Sequence, residues 1–186
     1  MKNQVYVIDD FYNNPDDVRY NALRADYNVS GNYPGMRSGP QEASHSLYLK
    51  KFFEDNIIHN HISHWSLDDY NTAFQYTDKN DHTWVHHDST EWAGVLYLSK
   101  DPMPESGTTI YSRIDNGVYE HVDEATDYNT DSDLIGNLAN WRQEVSVENR
   151  YNRLILYRGA LYHRSTNPGW GDGPHNGRLF QVFFFS

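Results

Sequence analysis

From Thr72 onward the chain is a succession of short segments rich in Tyr, Val, Ile, Leu and Phe, at residues 72–77, 83–87, 93–99, 108–112, 153–157, 161–164 and 178–185. Residues of these types suit a pleated, half-buried surface, so each segment reads as a strand. Clusters of Gly, Pro, Asp and Asn separate them, as in Asp101-Pro102-Met103-Pro104-Glu105-Ser106-Gly107. That spacing suits an antiparallel sandwich or barrel rather than a doubly wound sheet, and no glycine-rich phosphate loop is present.

The first third of the chain has a different pattern. Val5-Tyr6-Val7-Ile8 reads as an opening strand. Asn14-Pro15-Asp16-Asp17 supplies an N-cap, a first-turn proline and acidic residues favoured by the helix dipole, so a helix is expected to run to about Tyr27. The stretch Asn32-Tyr33-Pro34-Gly35-Met36-Arg37 carries a turn signal, and Phe52, Phe53, Ile57 and Ile58 place a second helix over roughly residues 48–58. Residues 116–150 read as an insertion: a polar acidic run over 123–133, then Leu134, Ile135, Leu138 and Trp141 at near-helical spacing. A solvated loop with a small packing helix is expected there, with a lid as the alternative.

The chain's 186 residues suit one domain with a sizeable core. Its 15 Lys and Arg against 26 Asp and Glu give a net charge of −11, which argues against a nucleic-acid partner. Residues 1–10 lack a basic stretch followed by an apolar run, and no stretch reaches the roughly 18 apolar residues of a membrane span. The expectation is a cytoplasmic protein without a membrane partner. There is no cysteine, so disulfides, thiolate zinc sites and thiol nucleophiles are excluded and any metal must be held by His and carboxylates.

Within those limits, Trp84-Val85-His86-His87-Asp88-Ser89 puts an imidazole and a carboxylate two positions apart on an expected strand, where alternation turns both to one face. Leu161-Tyr162-His163-Arg164-Ser165 supplies a further histidine on a late strand. Two His and one carboxylate occupy one face of an octahedron and leave three positions open, which suits non-haem Fe(II), with zinc and manganese as alternatives. Arg178 heads the last strand, 15 residues after His163, where a cation can anchor a dicarboxylate.

Other histidines compete for a role. His59, His61 and His64 form the densest cluster, but it falls at the end of an expected helix and lacks a nearby carboxylate apart from Asp68 and Asp69. His121 sits in the acidic insertion and His175 in a turn-rich loop, so His163 has the better strand context. His87 is expected to face away from the metal. No nucleophile elbow is present, and paired carboxylates for glycoside hydrolysis cannot be singled out.

With these residues in that order, the chain resembles the 2-oxoglutarate and Fe(II)-dependent oxygenases, in particular their prolyl-hydroxylase-like branch. His86 and Asp88 match that family's His-x-Asp, His163 its distal His, and Arg178 the basic residue that pairs with the far carboxylate of the co-substrate. Val95-Leu96-Tyr97-Leu98-Ser99 resembles its apolar strand, and Ser106-Gly107-Thr108-Thr109-Ile110-Tyr111 its Gly-Gly segment, with Ser106 in place of the first glycine. Tyr76 and Tyr97 stand where relatives place tyrosines that line the co-substrate pocket. Residues 72–185 carry the likeness, and Tyr33-Pro34-Gly35-Met36-Arg37 a looser one.

The resemblance implies a mainly β (α+β) fold, a double-stranded β-helix or cupin-like jelly roll. It forms one domain over 1–186, with helical support over about 1–70 and the core over about 72–186. It implies Fe(II) held by His86, Asp88 and His163, with 2-oxoglutarate as co-substrate bound at Arg178, Tyr97 and Tyr76. The implied reaction is hydroxylation of a peptidyl side chain or a small amino-acid-like substrate, with release of succinate and carbon dioxide. A retained Asp88 implies hydroxylation rather than halogenation. The alternatives are a non-catalytic jelly-roll binding module and a cupin-like dioxygenase that does not use 2-oxoglutarate; substrate identity and oligomeric state stay open.

Overall fold

A computed structural model describes residues 5–68, 70–121, 132–167 and 169–186. Residues 123–131 of the acidic run, Asp69 and Pro168 therefore lie outside the described residues.

Among the described residues, nine strands build two antiparallel sheets. The larger has six strands in the order β1 (Val5–Ile8), β7 (Leu154–Arg158), β4 (Trp92–Tyr97), β9 (Arg178–Phe185), β3 (Phe74–Thr77) and β2 (Met36–Arg37). The smaller has three, β6 (Trp141–Val147), β5 (Thr108–Arg113) and β8 (His163–Ser165). This is the double-stranded β-helix that the family resemblance implied.

Alternation along the strands of the larger sheet sorts its side chains into two layers. Leu96, Leu154, Leu156, Leu179, Phe183 and Phe185 turn outward and are covered by the N-terminal helices through Ala22, Leu49 and Phe53. Ala93, Tyr97, Ile155, Tyr157, Phe180 and Val182 turn inward and meet Ile110 and Val147 of the smaller sheet. Phe53 packs on Phe183 and Phe185 with ring centres 5.1 and 5.3 Å apart.

Helix α1 (Pro15–Leu23) begins at the expected proline, but Asn14 makes no side-chain cap and instead bonds Asp17. Helix α2 (Ala43–Phe53) starts about five residues before the expected position and continues into a wider turn over Glu54–Ile58. Apolar periodicity located its buried face, because Leu49, Phe53 and Ile57 all reach the core, but it could not fix the start.

Two expectations need correction. Residues 83–87 form no regular strand: His86 makes one isolated bridge, to His163. The insertion is only partly loop and helix, since a short helix α3 (Ser132–Gly136) leads into β6. Trp141 opens that strand and packs with Val85, Tyr111 and Tyr162, its indole N–H donating to the Leu134 carbonyl at 3.0 Å. Trp141 therefore braces the outer face of the small sheet. Among the described residues no helix is long and apolar enough to cross a membrane.

Candidate metal centre

His86 and His163 face each other across an antiparallel bridge in which each backbone N–H donates to the other's carbonyl, at 2.9 and 2.8 Å. Asp88 is fixed two residues later, where its N–H donates to the Gly159 carbonyl at 2.8 Å. Only glycine fits at position 159, because a Cβ there would stand 2.1 Å from the Thr90 carbonyl oxygen. The bridge and this close approach do the work of the missing strand.

One donor atom from each of His86, Asp88 and His163 lies within 4.8 Å of the others. Among the described residues this is the group of three His, Asp or Glu side chains that comes together in this way. His163 is buried, and its Nε2 is 3.3 Å from Asp88 Oδ2. The Nδ1 atoms are committed elsewhere: that of His86 is 3.1 Å from the Trp84 carbonyl oxygen and that of His163 is 2.8 Å from the Leu161 carbonyl oxygen. Each Nδ1–H donates to its carbonyl, which leaves Nε2 with its lone pair for a metal. Burial pushes the His86 imidazole down to about 4, His163 adding to that shift and Asp88 opposing it. Burial opposes ionisation of the Asp88 carboxyl, but the neighbouring His163 outweighs it, with His86 and Arg37 adding, and holds the group below the usual carboxylate range. Two imidazoles and a carboxylate form a donor set that fits a divalent transition metal with open positions.

Arg178 is 1% exposed and faces the space between the sheets. Its Nε donates to the Ser106 carbonyl at 2.8 Å and Nη2 to the Gly107 carbonyl at 3.4 Å. Its Nη1 is buried without a hydrogen-bond partner. A buried cation with a donor left over is costly unless an anion completes it, and the fork of a guanidinium suits a carboxylate. Ser106, the departure from the family's glycine pair, thus contributes a backbone carbonyl to the arginine's seat.

Tyr97 lies beside Arg178, whose guanidinium carbon is 5.5 Å from its ring centre. Its hydroxyl pairs with Thr108 Oγ1 at 2.8 Å. Burial pushes this phenol up against the pull of Arg178, so it stays a neutral hydrogen-bonding group. Tyr76 is elsewhere. It pairs with Leu179 in the sheet, faces the helices, and meets Tyr27 edge-on at 4.9 Å. Strand alternation puts it on the opposite face of the sheet from Tyr97 and Arg178, so the expectation that it lines the co-substrate pocket is corrected.

Sequence reasoning missed Tyr157, an inward residue of β7 whose ring centre is 4.5 Å from that of His163. Burial, with the charge of Asp88 adding, raises its hydroxyl well above the ordinary value. The alternation of Leu154 to Arg158 was the available signal, once the inner face of that strand was known. His87 turns to His121, their rings stacked at 4.0 Å, and neither joins the triad. His61 pairs with Glu54 at 3.0 Å and His59 takes a left-handed backbone at the end of the helical turn, which accounts for two members of the rival histidine cluster.

The family described as a family of unknown function (DUF6445) matches residues 1–185, and the chain belongs to it. No curated protein matches the sequence. The fold is similar to HygX from Streptomyces hygroscopicus, solved with nickel, 2-oxoglutarate and hygromycin B bound: TM-score 0.58 at 14% identity, covering 98% of this chain and 82% of that one. HygX with iron bound matches at TM-score 0.56 and 14% identity, with 98% and 82% covered. A prolyl-4-hydroxylase from Pseudomonas putida matches at TM-score 0.58 and 13% identity, covering 99% of this chain and 92% of that one. These likenesses show the fold, that of the prolyl-hydroxylase-like 2-oxoglutarate oxygenases.

Proposed function

We propose that this member of the DUF6445 family is a 2-oxoglutarate- and Fe(II)-dependent dioxygenase that hydroxylates a C–H bond of a small amino-acid-like or peptidyl substrate. The observation that carries the reading is the pairing of two incomplete sites in one fold. His86, Asp88 and His163 bring one donor atom each within 4.8 Å of the others, and Arg178 keeps a buried Nη1 without a hydrogen-bond partner. The fold of HygX and the prolyl-4-hydroxylase supports the same assignment. Residues 1–186 act as one unit in this reading.

When bound, iron and 2-oxoglutarate supply the oxidising chemistry: dioxygen, 2-oxoglutarate and a substrate C–H become succinate, carbon dioxide and a substrate C–OH. The chain's own residues do the placing. His86 and His163 present Nε2 because their Nδ1–H groups are held by Trp84 and Leu161. Asp88 adds the single negative charge, and its backbone bond to Gly159 fixes where that charge sits. Arg178 receives the distal carboxylate of 2-oxoglutarate through Nη1, with its other nitrogens anchored on Ser106 and Gly107. Tyr97 and Tyr157 wall this pocket with neutral phenols and keep water away from it.

The test is anaerobic titration of the Fe(II)-loaded protein with 2-oxoglutarate. A weak visible charge-transfer band is expected in the wild type and is lost in Arg178→Ala. Asp88→Ala is expected to lose bound iron and succinate production together. Well-folded, iron-loaded wild type without the band would overturn the oxygenase reading and favour a binding module.

A further inference from the structure

Arg37 is a second deeply buried arginine, 7% exposed, and the oxygenase reading does not use it. It stands on β2 opposite Gln75, and its Nε donates to Gln75 Oε1 at 2.8 Å. Gln75 is itself oriented, since its Nε2 donates to the Pro34 carbonyl at 2.7 Å. The guanidinium lies over the Tyr33 ring at 3.8 Å, and it is 5.5 Å from the ring centre of Phe184 and 5.9 Å from that of Tyr70. Aromatic faces recover part of what burial of a cation costs, but they do not neutralise it.

Among the described residues, Arg37 Nη1 and Nη2 donate no hydrogen bond and form no ion pair. Asp88 acts on the guanidinium through space, yet that carboxylate is a ligand of the metal in the oxygenase reading. Arg37 is therefore a buried cation with no anion of its own among the described residues, within electrostatic reach of Asp88.

A cavity of about 550 Å³ shows what could supply it. Its lining includes Asp88, Tyr70 and Phe184, so one metal ligand and two of the rings around Arg37 share one space. That volume suits a small molecule. Asp68, an exposed carboxylate, lines the same cavity and gives it an acidic side, while Arg37 stands beside the Tyr70 and Phe184 rings that line it. Tyr70, which lines the cavity, and the buried Thr72 two residues on adopt φ of +56° and +69°, a conformation bulky and β-branched residues rarely take. It is held by bonds on both sides, from Thr72 N–H to the Val182 carbonyl at 2.9 Å and from Gln181 Nε2 to the Thr72 carbonyl at 2.9 Å.

We infer that the substrate is a free α-amino acid, its carboxylate received by Arg37 and its ammonium by the Asp68 side of the cavity. The inference rests on the oxygenase reading and deepens it. Two arginines then divide the acids between them: Arg178 takes the distal carboxylate of 2-oxoglutarate and Arg37 the carboxylate of the substrate.

The test uses full-length protein loaded with Zn(II) and 2-oxoglutarate, so that no turnover occurs, and isothermal titration with each of the proteinogenic L-amino acids and its C-terminal amide. At least one acid is expected to bind the wild type, with its amide, and the same acid on Arg37→Gln, weaker by on the order of thirtyfold. Failure of every acid to bind, equal binding of acid and amide, or undiminished binding to Arg37→Gln would each overturn the inference. If Arg37→Gln does not fold, the acid-against-amide comparison on the wild type decides alone. The anaerobic charge-transfer band separates the two readings. A band in the wild type with no amino acid bound defeats this inference and spares the oxygenase. No band in the wild type defeats the oxygenase. A band lost in well-folded Arg37→Gln assigns Arg37 to the co-substrate and overturns the inference.

Discussion

The two faces of the larger sheet are made by the same strands yet have opposite characters. On β9, Leu179, Phe183 and Phe185 turn to the helices and find only apolar partners, whereas Arg178 turns inward with a buried nitrogen left unpartnered. On β7, Leu154 and Leu156 pack outward while Tyr157 turns inward, against the ring of His163. The outward face is complete as it stands. The inward face keeps buried polar atoms without a hydrogen-bond partner, Arg178 Nη1 and Thr77 Oγ1 among them, which is the pattern of a site rather than of a core. A period of two thus lets one strand serve stability with one set of residues and chemistry with the next.

The difference can be sharpened by substitutions on each face. The largest effect on stability is expected from the outward face: Phe183→Ala should cost about 3–5 kcal/mol in chemical denaturation, because a fully buried ring leaves a cavity among Phe11, Phe53 and its neighbours. 2-Oxoglutarate affinity of the folded fraction should stay unchanged. Next, Arg178→Ala should raise the 2-oxoglutarate concentration needed for half-saturation roughly a hundredfold by calorimetry, from loss of a buried charge-assisted contact. Tyr97→Phe removes the hydroxyl paired with Thr108 and should cost about 1 kcal/mol in stability; a larger loss in 2-oxoglutarate affinity than in stability would show that this hydroxyl also touches the co-substrate. Smallest of all, Tyr76→Phe should leave 2-oxoglutarate affinity unaltered and stability within about 0.5 kcal/mol. A marked loss of affinity there would break the division between the faces.

The sequence carried the architecture where residue type and turn chemistry agree, as in the strands over 93–99 and 178–185, each bounded by turn residues. It carried the candidate metal group because His86 and Asp88 are close in sequence and His163 follows in a matching context. It failed at residues 83–87, where the ligands are held by one bridge and by Gly159 rather than by a regular strand, a tertiary arrangement with no local signature. It failed again at β6, whose exposed central residues mask the strand signal. Tyr76 was misassigned because alternation fixes a face only once the facing layers are known. Arg37 was passed over for a related reason: its neighbours Tyr33, Tyr70 and Phe184 come from three separate parts of the chain.

The most direct measurement is an anaerobic crystal structure of the protein with Fe(II) and 2-oxoglutarate, the metal located by its anomalous scattering. The account predicts one peak between Nε2 of His86, Nε2 of His163 and the Asp88 carboxylate, with the distal carboxylate of 2-oxoglutarate on Arg178. Metal at the His87 and His121 pair instead, or a distal carboxylate seated on Arg37, would contradict it.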